Sequence, residues 1–457
     1  MKNVYLIGIG GIGMSALARY YRHAGSNVAG YDRTPSKLTQ ELENEGIAIH
    51  YEDNTDLIPQ PFREEAEETL VIYTPAVPAD MSELVYFGSR PYRMVKRSKA
   101  LGVIAAGKKT LGVAGTHGKT TTSTMLAHIF TSSGKGCTAF LGGISKNYHT
   151  NLLLSNSEYL VAEADEFDRS FLQLYPDSAI ITSTDADHLD IYNNHESIKE
   201  AFAAFASQVK EGGKLILKKG IVLDSHLAGG VRQFTYSFDS VADFYAKHLE
   251  LNERGYFNFT LVHPGGEIKD CTLGIPGWVN IENAIAASAA ALLNGIGENE
   301  LREALAAFSG VERRFDIHIN TPAISYIDDY AHHPREISAA ISSIRNIFPG
   351  RRLTAVFQPH LYSRTRDFAT DFAESLSALD ELILLDIYPA RELPLEGITS
   401  AVIFDNVKLE DKVLIKKDEL MDTLKSRDLD ILITFGAGDI DRFISPITNM
   451  IKERFNV

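Results

Sequence analysis

Leu111-Gly-Val-Ala-Gly-Thr-His-Gly-Lys-Thr-Thr-Thr-Ser-Thr124 decides how the 457-residue chain is read. An apolar run ends in a glycine-bracketed turn, and Lys119-Thr120 then opens a helix expected over 121–131. Such a layout binds phosphate. Backbone N–H groups and a helix N-terminus surround phosphate oxygens, Lys119 adds a fixed cation, and the Thr120 hydroxyl suits a divalent metal. Val113 stands where a strict Walker pattern has its first glycine, so the loop is a shorter form: Gly115, Thr116, His117, Gly118, Lys119, Thr120, Thr121. The bland alternative, a strand-to-helix turn with two incidental glycines, leaves the adjoining lysine and threonine unexplained.

A second glycine loop lies at the start of the chain. Val4-Tyr-Leu-Ile leads into Gly8-Ile-Gly10-Gly11-Ile12-Gly13-Met14-Ser15, with helical character over 14–23. The next strand ends in Asp32, 19 residues after Gly13. Strand, turn, helix, strand and acid make the dinucleotide fingerprint, which points to a ligand carrying phosphates or a ribose. Further on, Arg90-Pro-Tyr-Arg-Met-Val-Lys-Arg97-Ser-Lys99 has five basic residues in ten, within a chain of net charge −15. Two readings stay open for it: a solvated helix face, or cations, Arg97 among them, that meet a diphosphate at the first loop. The stretch 102–109 reads as a linker.

Beyond the phosphate loop, two more apolar strands end in polar clusters, Glu163-Ala-Asp-Glu-Phe-Asp168 and Asp185-Ala-Asp-His188-Leu-Asp190. Ligands of parallel α/β sheets sit at the carboxyl ends of strands, so Thr120, Glu163 and His188 are expected in one crevice. Oxygen and imidazole donors beside a triphosphate suit Mg²⁺ or Mn²⁺. Alternating patterns at 234–238 and 256–262 suggest an antiparallel ribbon at the edge of this domain. Asn280 and Asn283 precede an Ala-rich helix, as N-caps or as readers of an adenine edge. From residue 310 a third strand-helix alternation begins, with polar strand ends at Asp329-Tyr330-Ala-His332-His333, His360 to Arg366, Tyr388 to Glu392 and Gly436 to Asp439. Zinc on the paired histidines is the lesser reading, because adjacent rings do not face one ion comfortably.

Composition narrows the class. A chain with 44% hydrophobic and 23% charged residues reads as globular, and its length calls for several domains. The excess of acids argues against nucleic acid held by bulk electrostatics. The sequence has no span suited to a bilayer and no secretory signal, and its two cysteines make no disulfide framework; all three fit the cytoplasm.

Taken together, Gly8 to Ser15, Gly115 to Thr122, Glu163-Ala-Asp-Glu, Asp187-His-Leu-Asp190, Arg313-Arg-Phe, Asp328-Asp-Tyr-Ala-His-His-Pro334 and Phe357-Gln-Pro-His resemble the Mur ligase family across the chain. The resemblance implies an α/β protein of three domains, N- and C-terminal Rossmann-like parallel sheets flanking a central P-loop-type ATPase domain, with bounds 1–107, 108–310 and 311–457. It implies ATP with Mg²⁺, and UDP-N-acetylmuramate and L-alanine as small-molecule substrates, joined through an acyl phosphate. By resemblance Lys119, His188 and Arg314 are catalytic, Asn283 meets adenine and Asp329 the ATP ribose. Gly10 to Ser15, Asp32 and Arg97 would hold the UDP end, and Tyr330, His332 and Arg364 the amino acid. Leu361, Ser183 and Val279 depart from the family's usual Arg, Asn and His. Ala203 lies where later pathway members carry a carbamylated lysine. A tripeptide-adding ligase, a nicotinamide oxidoreductase and a non-catalytic ATP-gated binder are the competing readings. The oligomeric state is left open.

Overall fold

The computed structural model describes residues 1–185, 192, 195–252, 255–390 and 392–457. Three sheets carry the chain. In the first, β1 (Asn3–Ile7), β2 (Asn27–Tyr31), β3 (Ala48–His50), β4 (Thr69–Tyr73) and β5 (Arg93–Lys96) are all parallel, in the order β3-β2-β1-β4-β5. β1 is central and buried on both faces, and the chain winds outward from it to β2 and β3 on one side and to β4 and β5 on the other. The loops after β1 and β4 therefore part and open a crevice at the switch point. Helix α1 (Ile12–His23) starts in the glycine loop and α2 (Arg97–Ala105) follows β5.

The ten-stranded second sheet holds β6 (Lys109–Ala114), β7 (Thr138–Ser145), β8 (Thr150–Leu153), β9 (Tyr159–Glu163), β10 (Ser178–Ile181), β11 (Lys214–Lys218), β12 (Arg232–Ser237), β13 (Phe244–Leu251), β14 (Phe257–His263) and β15 (Gly266–Thr272). β6 lies between β10 and β9 and is parallel to both, so three strand ends sit side by side. Helix α3 (Lys119–Ser132) leaves the β6 loop, and α4 (Trp278–Leu293) is the Ala-rich helix.

Helix α1 joins the first two sheets. Tyr20 packs on Phe140 of β7 with centroids 5.6 Å apart. Fully buried Asn151 of β8 donates to Ile12 O (2.6 Å) and Ser15 Oγ (2.9 Å), and accepts from Arg19 Nη1 (2.6 Å). The core clusters accordingly run through both sheets as one. By packing, the chain divides into two compact units. One comprises Met1–Leu249, Phe259–Gly274 and Glu282–Ser309; the other comprises Glu250–Asn258, Ile275–Ile281 and Gly310–Val457.

In the second unit β16 (Asp316–Asn320), β17 (Ser325–Asp329), β18 (Leu353–Phe357), β19 (Glu381–Leu385), β20 (Lys412–Ile415) and β21 (Ile431–Phe435) form a sheet in the order β16-β17-β21-β18-β19-β20. It is parallel apart from β16, which pairs with β17 antiparallel at the edge. Helix α5 (Pro334–Ile347) follows β17, and Leu and Ile cores fill both faces.

Three sequence expectations are corrected. The 234–238 stretch falls largely in β12, which runs parallel to β11 and β13 and is not part of an antiparallel ribbon. Its alternation reports one solvated face; direction is set by the 219–231 connection, which is long enough for a crossover. The stretch 102–109 is no linker, being the end of α2, a turn at 106–108 and the start of β6. The basic cluster is no single helix face, since β5 and α2 divide it.

Candidate active site

The phosphate loop has the backbone its sequence calls for. Gly115 (φ 135°) and Gly118 (φ 80°) take left-handed conformations that side chains avoid, and Gly118 caps the N-terminus of α3. A Cβ on Gly115 would stand 2.0 Å from Thr182 Oγ1, and one on Gly118 would stand 2.7 Å from Asn283 Oδ1. Thr182, at the end of β10, donates to His117 O. Ser183, next along, accepts from His117 N (2.8 Å) and shares a hydrogen bond with Thr116 Oγ1 (2.8 Å). The serine at this departure from the family pattern thus fastens the loop. Sequence reading noted the change but not the contact, which depends on β10 lying beside β6.

Lys119 Nζ donates to Gly115 O (2.6 Å) and pairs with both Glu166 oxygens, at 2.9 and 2.8 Å. Burial works against its charge, but Glu166, with Asp165 and Glu163, overcomes this and holds the ammonium up to about 12. Thr120 Oγ1 donates to Glu163 Oε1 at 3.1 Å, so two of the three expected metal donors come together. His188, the third, lies outside the described residues. Glu163 reaches its place because residue 142 has no side chain: a Cβ there would meet the carboxylate at 2.1 Å. Left-handed glycines, a helix N-terminus and paired hydroxyl and carboxylate oxygens form a donor set that fits a triphosphate with a hard divalent cation.

Asn283 is neither an N-cap nor at a helix start; it sits within α4 and accepts from Thr122 Oγ1 (3.2 Å). Asn280 donates to Pro276 O (2.6 Å).

The first glycine loop borders a cavity of ≈ 260 Å³. Gly11 to Met14, Thr74, Pro75, Arg97, Glu163 and Asp165 are among the residues that line it, so it runs from the β1 loop to the end of β9. Arg97 lies over Gly13, where a Cβ would come within 2.7 Å of Nη1, and its Nη2 meets Asp165 Oδ2 at 3.0 Å. Asp32 is used within the fold: Oδ2 accepts from Gly10 N (2.8 Å) and Oδ1 from Thr34 N (3.2 Å). It shapes the loop, and both of its oxygens have backbone partners.

In the second unit the remaining site residues gather at the carboxyl ends of β17, β18 and β19. Arg313 turns inward to the fully buried Asp328 (3.1 Å), which also accepts from Thr434 Oγ1 (2.6 Å). Both guanidinium groups lie over the Tyr330 ring, Arg314 at 4.8 Å and Arg313 at 5.3 Å from its centroid. Arg313 is tied in addition to a buried carboxylate. Asp329 accepts from Phe315 N (3.0 Å) and Ala331 N (2.8 Å). Desolvation pushes its carboxyl up to about 7, against the pull of Arg314. The His332 ring sits at 5.2 Å from that of Tyr330 and 5.9 Å from that of His360, which stacks on Tyr388; Arg364 Nη1 is 3.5 Å from His360 Nδ1. His360 and Tyr388 were legible only as strand-end polar residues. His333 takes no part in this group. It caps α5 by accepting from Arg335 N (3.3 Å) and packs on Phe368. Among the described residues no group of three or more His, Cys, Asp or Glu side chains is placed to hold a metal.

Two glycine loops, a lysine held by carboxylates and a polar strand-end cluster in a third sheet define a nucleotide-dependent α/β enzyme with more than one substrate site. Family models match three successive stretches: the Mur ligase family catalytic domain at 3–109, the Mur ligase middle domain at 113–291 and the Mur ligase glutamate ligase domain at 313–438. The chain is 51% identical to the UDP-N-acetylmuramate–L-alanine ligase of Parabacteroides distasonis, over 98% of this chain and 97% of that one. It is equally close to the ligase of that name from Porphyromonas gingivalis strain W83, over 99% of both. The chain belongs to the Mur ligase family. Among solved structures, the UDP-N-acetylmuramate–alanine ligase of Thermotoga maritima is similar over 99% of both chains, with a TM-score of 0.82 and 28% identity. A murein peptide ligase from Psychrobacter arcticus shares the fold, with a TM-score of 0.72 and 22% identity over 98% of both.

Proposed function

We propose that the protein is an ATP-dependent ligase that joins L-alanine to UDP-N-acetylmuramate, giving UDP-N-acetylmuramoyl-L-alanine, ADP and phosphate, a step of peptidoglycan biosynthesis. The observation that carries this reading is the cavity that runs from the first glycine loop to Glu163 and Asp165 beside Lys119 and Thr120. It lets a sugar nucleotide anchored at Gly10 to Ser15 extend toward the phosphate loop. Full-length identity near one half to ligases of this name supports the substrates.

The chemistry needs activation, since a carboxylate and an amine do not condense in water. A carboxylate oxygen of the muramate attacks the γ-phosphorus, the bond to ADP breaks, and an acyl phosphate forms. The alanine nitrogen then attacks the acyl carbon, phosphate leaves, and the nitrogen gives up its proton. Phosphoryl transfer depends mainly on positioning and charge neutralisation. Loop N–H groups and Lys119 supply that to the triphosphate. A Mg²⁺ ion, for which Thr120, Glu163 and His188 are the donors, would add charge neutralisation at the phosphates. Asn283, Asp329 and Arg314 serve ATP in this reading, Arg97 the diphosphate, and Tyr330, His332 and Arg364 the amino acid, the arginine facing its carboxylate. No helix among the described residues is long and apolar enough to cross a membrane. Phosphate release that requires ATP, UDP-N-acetylmuramate and L-alanine together is the test.

A further inference from the structure

The end of β9 and the turn after it carry four carboxylates, and each has its own partner. Glu163 accepts from Thr120, Asp165 pairs with Arg97, Glu166 with Lys119, and Asp168 with Lys96. Glu166 differs from the rest in burial, with its side chain only 2% exposed and both oxygens on Nζ. Its main chain is fixed as well: Glu166 O accepts from Tyr192 Oη (2.5 Å) and from Arg169 N (2.9 Å). Nζ is thus held between Glu166 and Gly115 O, at the mouth of the loop. Without that carboxylate the flexible four-carbon stem of Lys119 has other directions open to it, and the Gly115 carbonyl alone does not fix where its ammonium points.

We propose that Glu166 is a positioning residue for phosphoryl transfer, its buried carboxylate seating Lys119 at the mouth of the loop so that the ammonium is aimed at the phosphates. The inference rests on the ligase reading given above. Glu166 acts through Lys119 and need not touch substrate.

The test compares wild type with Glu166→Gln, which keeps the shape and one hydrogen bond but loses the charge, and Glu166→Asp, which keeps the charge. Glu166→Gln should lower kcat about 10–100-fold, the range for residues that orient a working group, with KM for ATP changed less. Glu166→Asp should recover most of the lost kcat. A wild-type kcat in Glu166→Gln, a rise in KM for ATP as large as the fall in kcat, or a loss that Glu166→Asp does not relieve would overturn the proposal. Should Glu166→Gln fail to fold, Glu166→Ala is assayed with added formate, which should recover turnover by refilling the carboxylate position; no recovery in folded protein overturns it too. Wild-type protein with no ATP-dependent turnover would defeat the ligase reading itself, whereas an active wild type with an indifferent Glu166→Gln defeats only this inference.

Discussion

Arg97 Nη2 stands 3.0 Å from Asp165 Oδ2, while the same guanidinium lies over Gly13 of the first glycine loop. A cation from the first sheet is thereby held by the turn that also carries Glu163 and Glu166 of the second. The two glycine loops thus border one short acidic turn, a contact that adds to the packing of α1 between the sheets.

The first prediction follows from the space above Gly13. In Gly13→Ala the new methyl would meet Arg97 Nη1 at 2.7 Å and displace it. KM for UDP-N-acetylmuramate should rise about tenfold or more, since a hydrogen bond to a charged group is worth about 1.5–3 kcal/mol. KM for ATP should change far less. Steady-state kinetics in each substrate checks this, and an equal rise in both constants would remove Arg97 from the sugar-nucleotide site.

Gly142 offers a second prediction. Its missing side chain is the room that Glu163 uses, so Gly142→Ala should push the carboxylate away from Thr120. The Mg²⁺ concentration needed for half-maximal turnover should rise about 10–100-fold, as for other lesions in the shell around a metal. Metal titration at saturating substrates reads the shift. A titration matching wild type would mean Glu163 is not a metal donor.

A third prediction concerns pH and stability. Glu83, fully buried under the first sheet, accepts from Tyr5 Oη (2.8 Å) and lies 3.1 Å from His50 Nε2. Burial, with a smaller push from Asp53 and against the Tyr5 hydrogen bond, moves it from 4.5 up to about 7. Its folded pKa is thus raised. The stability it contributes is complete below the unfolded value and is lost as pH rises toward 7, where the unfolded chain holds fewer protons. Glu83→Gln, neutral throughout, should therefore gain urea resistance relative to wild type between pH 5 and pH 8. A midpoint difference that does not change with pH would contradict the assignment.

The sequence carried these sites unequally. Glycine, lysine and threonine between strand and helix are local signals, so both loops and their helices were legible without tertiary information. Polar residues at strand ends were legible for the same reason, which brought out Glu163, Tyr330 and His332. Which partner each one takes was not, because partners come from strands distant in sequence. Ser183 meets His117 only because β10 neighbours β6, and Asp32 accepts from Gly10 N only because β2 lies beside β1. The direction of β12 was misread because alternation reports exposure, not the path of the connection. The roles of Arg313 and Arg314 separate only once Asp328 is seen to be buried.

The most direct measurement is phosphate release by the purified protein against a panel of acceptors, with ATP, Mg²⁺ and UDP-N-acetylmuramate held constant. The account predicts release with L-alanine, dependence on all substrates, and its abolition in Lys119→Ala, whose ammonium sits at the loop mouth. Turnover with a tripeptide but not with L-alanine, or an unchanged rate in Lys119→Ala, would contradict it.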